Sequence, residues 1–326
     1  MQKRPKILVV GSFVMDLIVS TSRVPNEGES VLAGINFKTA SGGKGANQAV
    51  QAAKSGADVT FIGKVGDDNF GKEMISAVSA AGVNTDYVLK DNQVSSGVGN
   101  IILECKPGQK AKNRIIVVPG ANMTIAPDEI AFLKDAIKNY DMVMLQLEIP
   151  MEINEIVTSY AFDAGVPVML NSAPSAHLSP ELLNKLTYIS PNEHEAADLT
   201  GIAITKKDGI LDMDTVKKAA AKLLEMGVKN VIITLGSNGV VFMNSDTFIY
   251  KPCVDIVEVV DPTAAGDSFV GSFCTAVASG KRYDEALDYA NYTATLTVSR
   301  MGAQPSLPSN EEVEVLINMH KKQLQL

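Results

Sequence analysis

Met142-Val-Met-Leu-Gln-Leu-Glu-Ile-Pro-Met-Glu-Ile-Asn-Glu-Ile-Val-Thr-Ser-Tyr-Ala-Phe-Asp-Ala-Gly-Val-Pro-Val-Met-Leu170 holds one complete structural unit. Its ends, 142–145 and 166–170, are short apolar runs without alternation, which is how strands covered on both faces read. Residues 151–164 between them form a helix candidate. The unit recurs along the chain. Ile7-Leu-Val-Val10 runs apolar up to Gly11; a helix is expected over 45–55 after a Gly-rich turn, ending at Gly56; Val59-Thr-Phe-Ile62 is a second buried strand. Further helices are expected over 69–81, closed by Gly82, and over 215–226, which leads into the strand Val231-Ile-Ile-Thr-Leu235. Strand–helix alternation of this kind specifies an α/β fold whose parallel sheet is covered by helices on both faces.

Two stretches break the alternation. Residues 13–40 carry the strand-like Leu17-Ile-Val-Ser-Thr21 and Ser30-Val-Leu-Ala33, split by the turn Pro25-Asn-Glu-Gly28. Residues 96–118 carry strands over 98–104 and 114–118, joined by Lys106-Pro-Gly-Gln109. Each reads as an antiparallel hairpin. Two arrangements stay open: the hairpins join into a separate small sheet that serves as a lid, or they are edge strands of the main sheet. No linker, repeat or low-complexity tract divides the chain. The expected organisation is one α/β domain over 1–12, 41–95 and 119–326, with a β-sheet lid from 13–40 and 96–118.

With 326 residues, 46% of them hydrophobic and 20% charged, the chain is long enough for a large core. A net charge of −8 without any basic block argues against a nucleic-acid partner. The densest basic cluster, Lys110-Ala-Lys-Asn-Arg114, is expected at a solvated hairpin tip. No segment approaches the ~20 apolar residues that span a bilayer, so no membrane partner is expected. The apolar run after Met1-Gln-Lys-Arg is too short for a signal peptide. Cys105, Cys253 and Cys274 are far apart and offer neither a disulfide framework nor metal spacing. A reducing cytoplasm is the expected location, extending to the nucleus in a eukaryotic cell. His177, His194 and His320 also lack metal-ligand spacing.

Chemistry concentrates in two small-residue segments. Asp261-Pro-Thr-Ala-Ala-Gly-Asp-Ser-Phe269 sets two carboxylates around a run of small residues, directly before the apolar stretch 269–278, a helix stopped by Gly280. Small residues at a helix start leave backbone N–H groups uncovered, and with the helix dipole these favour an anion. Asp267 in that mouth is either an N-cap, worth roughly 1 kcal/mol, or a general base beside a bound phosphate. Ser41-Gly-Gly-Lys-Gly-Ala-Asn-Gln-Ala49 opens the 45–55 helix. Its glycines admit a small polar ligand to the backbone, and Lys44 and Asn47 offer donors and an acceptor for hydroxyl groups. It is not a Walker A loop, because Gly45 follows Lys44, and no dinucleotide-binding Gly-x-Gly-x-x-Gly follows a strand.

Together the two segments resemble the motifs of the ribokinase-like (pfkB) carbohydrate kinase family. Gly63-Lys-Val-Gly-Asp-Asp-Asn-Phe-Gly71, Gln146-Leu-Glu-Ile-Pro150, Asn171-Ser-Ala-Pro174, Pro191-Asn-Glu-His-Glu195, Thr234-Leu-Gly-Ser-Asn-Gly239 and Gly302-Ala-Gln-Pro-Ser306 follow in the family's order, so the resemblance covers essentially the whole chain. It implies a three-layer α/β/α sandwich with a mostly parallel central sheet and a small β-sheet lid. It also implies ATP-dependent phosphorylation of D-ribose at the 5-hydroxyl. Asp267 is then the catalytic base, and the N–H groups of Ala264, Ala265, Gly266 and Asp267 form an anion hole for phosphoryl charge. Asp16, Gly43, Lys44, Asn47 and Glu148, with Asp267, match sugar-binding positions. Thr234, Gly236, Ser237 and Gly239 match the nucleotide pocket, Asn192, Ala265 and Gly266 its phosphate end, and Asn291 its adenine end. Asn192 and Glu195 match a pair that organises Mg²⁺ and its waters; read from the residues alone they are a capping box. Asp261, Thr263, Arg300, Gly302 and Ser306 match a K⁺ site, several through backbone carbonyls.

Two positions depart from the family pattern. Ala264 stands where many members carry Gly. Gly11-Ser-Phe-Val-Met-Asp16 has Val14 where bacterial ribose-phosphorylating members commonly have an Asn that bonds the sugar, a loss of roughly 1 kcal/mol. A kinase for another sugar or nucleoside of the family (deoxyribose, fructose or adenosine) is therefore the alternative. A catalytically silent nucleotide-binding regulator is a third reading, and retention of Asp267 with Asn192 and Glu195 argues against it. Apolar residues on the lid hairpins (Val31, Leu32, Val98, Ile101, Ile102) predict a homodimer formed lid to lid.

Overall fold

A computed structural model describes residues 4–106, 112–207 and 209–324. Its frame is an eight-stranded sheet in the order Phe248–Lys251, Val240–Met243, Asn230–Thr234, Tyr188–Ile189, Val168–Asn171, Met142–Gln146, Lys6–Val10, Asp58–Ile62. From Asn230–Thr234 across to Asp58–Ile62 all neighbours run parallel. The two strands at the opposite edge turn antiparallel; the apolar patterning had not singled them out. The unit that opens the sequence reading consists of Met142–Gln146, the helix Met151–Asp163 and Val168–Asn171, with Met144 paired to Met169.

The three layers follow from the strands' lack of alternation. Ile7 and Val9 pack into one apolar cluster and Leu8 and Val10 into another, on opposite faces of the same strand, and none of the four is exposed. The first cluster is closed by the helices Lys44–Lys54, Asn69–Ala80, Ala265–Ala278 and Tyr283–Val298. The second is closed by Met151–Asp163, Pro180–Lys185, Glu193–Thr200 and Met213–Glu225. Helix starts and ends lie within about two residues of the sequence expectation, apart from the Asp267 helix. That helix begins at Ala265 rather than at Phe269, because the small residues ahead of the apolar stretch already take helical backbone.

The hairpins form a sheet of their own. Val14–Thr21 pairs antiparallel with Gly34–Gly42 and parallel with Val98–Glu104, which pairs antiparallel with Lys112–Val118. The second strand is Gly34–Gly42 and not Ser30-Val-Leu-Ala33. Arg23 clasps the Glu29 carboxylate, the Glu29 N–H donates to the Asn26 carbonyl at 3.1 Å, and the Ser22 N–H donates to the Ala33 carbonyl at 3.1 Å. These bonds hold 22–33 as a loop, and extended pairing starts only beyond it. The exposed apolar residues match expectation only in part: Leu32 is fully exposed, as expected. Val98, Ile101 and Ile102 are half-buried in a central strand, and Val31 belongs to none. Ile35, Phe37, Ile115 and Ile116, on the outer strands, are 62%, 61%, 53% and 67% exposed. Residues 107–109 of the expected turn, and 110 and 111 of the basic cluster, lie outside the described residues. Among the described residues no helix is long and apolar enough to cross a membrane.

Candidate active site

All the parallel strands end at one edge of the sheet, where open α/β folds bind ligands. The residues just past those ends are Gly11 and Ser12, Leu147 and Glu148, Ser172, Asn192, and 235–239. The helix Lys44–Lys54 starts against them. Gly43, at φ 94°, has room for no side chain: a Cβ would stand 2.7 Å from the Val14 nitrogen and 2.8 Å from the Ser12 oxygen. That close approach lets the Lys44 N–H donate to Glu148 Oε2 at 2.9 Å, the same oxygen that accepts from Ser12 Oγ at 2.5 Å.

Asp267 faces this helix from Ala265–Ala278. Asn47 Nδ2 donates to its Oδ2 at 2.9 Å and Gln48 Nε2 to its Oδ1 at 3.1 Å. The residue is only 8% exposed. Burial pushes its carboxyl above the ordinary range, opposed by the Lys44 ammonium and the two amide donors. Burial works against the Lys44 charge too, yet Asp267, Glu148 and Glu195 together outweigh it and the ammonium is held protonated. Asp16 extends from the lid strand Val14–Thr21 between Gly42 and Gly99, where added Cβ atoms would stand 3.2 and 2.6 Å from its carboxylate. Burial first, then the charge of Glu148, raise its carboxyl to about 6. Asn47 Oδ1 is buried and has no partner among the described residues, an acceptor left over for a ligand hydroxyl.

Lys44 and Asp267 also border a cavity of about 650 Å³, within the range of small-molecule sites. Asn192, Thr234, Gly236, Ser237, Gly239, Ala265, Gly266 and Asn291, the residues expected to meet a nucleotide, all line it. Asp16, Gly43, Asn47 and Glu148 do not, and belong to the polar cluster beside it. Asn192 and Glu195 do form the capping box: Asn192 Oδ1 accepts from the Glu195 N–H at 2.9 Å, and Glu195 Oε2 accepts from the Asn192 N–H at 2.9 Å. Capping uses one carboxylate oxygen of Glu195.

One amide of the expected anion hole is engaged within its own turn. The Ala265 N–H donates back to the Pro262 carbonyl at 3.2 Å, because Ala264 takes left-handed backbone at φ 60° and folds the chain tightly there. The amides of Ala264, Gly266 and Asp267 have no acceptor among the described residues. At the expected cation positions, Asp261 Oδ1 accepts from the Thr263 N–H and hydroxyl at 3.0 and 2.6 Å, and Oδ2 from the Gly302 N–H at 2.9 Å. This brings 261–263 and 302 together. The Arg300 guanidinium is drawn away to Glu312 at 2.7 Å, and Ser306 Oγ donates to the Ala303 carbonyl at 2.7 Å, so neither side chain joins the group.

Four polar residues of the cluster were not singled out from the sequence: Ser12, Gln48, Gln146 and Asn171. A polar residue closing a buried parallel strand is a signal for the last two. The apolar cavity wall of Val254, Val257, Val259 and Val298 had none, since its first three members lie in irregular chain.

A buried carboxylate facing a helix mouth, at the carboxyl edge of a parallel sheet and under a small β lid, defines an α/β enzyme built to act on a small polar ligand beside an anionic one. Residues 4–310 match the pfkB family of carbohydrate kinases. The chain belongs to this family. It is 38% identical over 323 residues to the ribokinase of Schizosaccharomyces pombe, covering 97% of this chain and 98% of that protein. It is 39% identical over 312 residues to the ribokinase of Bacillus subtilis, with 96% and 99% covered. Among solved structures, Arabidopsis thaliana ribokinase complexed with ribose and ATP matches with a TM-score of 0.87 at 35% identity, over 96% of this chain and 99% of that one.

Proposed function

We propose that this carbohydrate kinase transfers the γ-phosphoryl group of ATP to the 5-hydroxyl of D-ribose, giving D-ribose 5-phosphate and ADP. The observation that carries the reading is Asp267, buried between the polar cluster and the cavity, with each carboxylate oxygen held by one amide donor. Likeness to a ribokinase solved with ribose and ATP supports the choice of substrates.

Asp267 takes the proton of the 5-hydroxyl as that oxygen bonds to the γ-phosphorus and the bond to the ADP oxygen breaks. Burial makes its carboxylate a stronger base than an exposed one, while Lys44 favours its ionised form. The free amides of Gly266 and Asp267, with that of Ala264, receive charge on the transferring group. Asp16, Glu148, Lys44, Asn47 and the Gly43 backbone hold the sugar hydroxyls; several hydrogen bonds are needed to offset desolvation of a polyol. Asn192, Thr234, Gly236, Ser237, Gly239, Ala265, Gly266 and Asn291 hold the nucleotide.

Mg²⁺ fits Glu195, which keeps one carboxylate oxygen free of the cap, and Asn192 beside it. Among the described residues no three His, Cys, Asp or Glu side chains group to hold a metal, so Glu195 and Asn192 would hold the ion together with non-protein ligands. When bound, Mg²⁺ neutralises phosphate charge. K⁺ fits Asp261, whose Oδ2 has accepted only one donor; Thr263, Arg300, Gly302 and Ser306 would help to hold it, several through backbone carbonyls. The protein acts in the cytoplasm, as a homodimer through its lids.

A second reading, 2-deoxyribose as substrate, rests on Val14, a buried apolar residue two positions before Asp16. A panel of ribose, deoxyribose, fructose and adenosine with coupled ADP detection tests both. Ribose is expected to give the highest kcat/KM. No phosphorylation of any pentose would overturn the assignment.

A further inference from the structure

Gln48 lies beside the catalytic machinery and is completely buried. Its Nε2 donates to Asp267 Oδ1 at 3.1 Å and to Asn171 Oδ1 at 3.1 Å, and its Oε1 accepts from Gln146 Nε2 at 2.7 Å. Asn171 Nδ2 in turn donates to the Ser190 carbonyl at 2.7 Å. A backbone carbonyl only accepts, so the nitrogen of Asn171 must face Ser190 and its oxygen must face Gln48. The nitrogen of Gln48 must then face Asn171 and Asp267, and its oxygen must face Gln146. The orientation of every amide follows from one backbone group.

We propose that Gln48 is a positioning residue for phosphoryl transfer: clamped by Gln146 and Asn171, it fixes the plane and rotamer of the Asp267 carboxylate. This rests on the reading of Asp267 as the base. The clamp spans the ends of three adjacent strands in the middle of the main sheet, Met142–Gln146, Val168–Asn171 and Tyr188–Ile189. Asn47 holds Oδ2 and Gln48 holds Oδ1, so the carboxylate cannot swing away from an approaching hydroxyl. A network placed only for packing has no need to end on a buried carboxylate at the cavity edge, and apolar residues would fill the space without the cost of desolvating amides.

The arrangement also affects titration. The Gln48 N–H favours ionised Asp267, as do Lys44 and Asn47, while burial, Glu148 and Glu195 oppose ionisation. Removing the donor lifts the Asp267 pKa, so the acid limb of the kcat–pH profile moves to higher pH.

Gln48→Met and Gln146→Met keep side-chain length and remove the amides. Profiles of kcat against pH, KM for ATP and thermal melting are measured on both, with Asp267→Asn alongside. Gln48→Met is expected to lower kcat roughly ten- to hundredfold, as a small misplacement of a reacting group does, with KM for ATP nearly unchanged and the acid limb raised. Gln146→Met, which removes the donor to Gln48 Oε1 and leaves Asn171 as the remaining anchor, is expected to move the limb in the same direction by less. Either variant folded with a wild-type acid limb and kcat overturns the role. If Gln48→Met does not fold, Gln146→Met decides it. Turnover retained in Asp267→Asn would instead remove the base assignment itself, so the two failures are distinguishable.

Discussion

At Asp267 opposing forces set the chemistry: burial favours the proton, and Lys44, Asn47 and Gln48 favour the charge. Asp267→Asn keeps the shape and the cavity but removes the base. It is expected to lower kcat by roughly 10²–10⁴ or more while ATP affinity, followed by titration calorimetry, stays within a few-fold; wild-type turnover would take Asp267 out of the reaction. Asp16 gives a prediction in pH. Its carboxyl is raised from 3.8 to about 6, so below pH 6 it holds a proton and loses the charge that receives sugar hydroxyls. KM for ribose is expected to rise as pH falls through about 6, with KM for ATP flat across that window. Asp16→Asn should abolish the titration; a pH-independent KM in the wild type would reject the role. The identity of both residues was legible in the sequence, since each stands in a recognisable segment. The donors to Asp267 were only half legible: Asn47 was expected to meet the sugar, and nothing in the chain near Gln48 shows that Gln146 and Asn171 will converge on it.

Among the elements, those with Gly stops were read closely. The helices Lys44–Lys54 and Asn69–Ala80 end just before Gly56 and Gly82, both at positive φ. The strand Gly34–Gly42 was misplaced because six of its residues are exposed, so no apolar pattern marks it. The turn 261–263 shows what an element can do through backbone. Asp261 ties it to Gly302 with one bond and to Thr263 with two, directly upstream of the amides proposed to receive phosphoryl charge. Asp261→Ala is expected to lower kcat at least about tenfold, equivalent to ~1.4 kcal/mol, and to flatten the response to K⁺. Steady-state rates in K⁺ and in Na⁺ check this: equal rates in the wild type would remove the cation site.

For the whole molecule, the lid is the surface proposed to carry assembly. Its outer strands leave Ile35, Phe37, Ile115 and Ile116 more than half exposed, an apolar surface at sheet edges that favours a second copy. Light scattering at micromolar concentration is expected to give twice the 34.7 kDa chain mass. Ile116→Glu is expected to shift it toward the monomer, and a monomeric wild type would count against lid-to-lid pairing.

The amino-acid sequence by itself determined the α/β class, the three-layer packing and the two functional segments. Those properties are local: a strand without alternation must be covered on both faces, and small residues at a helix start must expose their amides. Only the tertiary structure decided that the two hairpins form one separate sheet and that Gln146, Asn171 and Gln48 meet at Asp267. These are contacts between residues up to 219 positions apart, as Gln48 is from Asp267. Hydrogen-bond partners at such separations are set by how strands and helices pack, and no spacing along the chain encodes them.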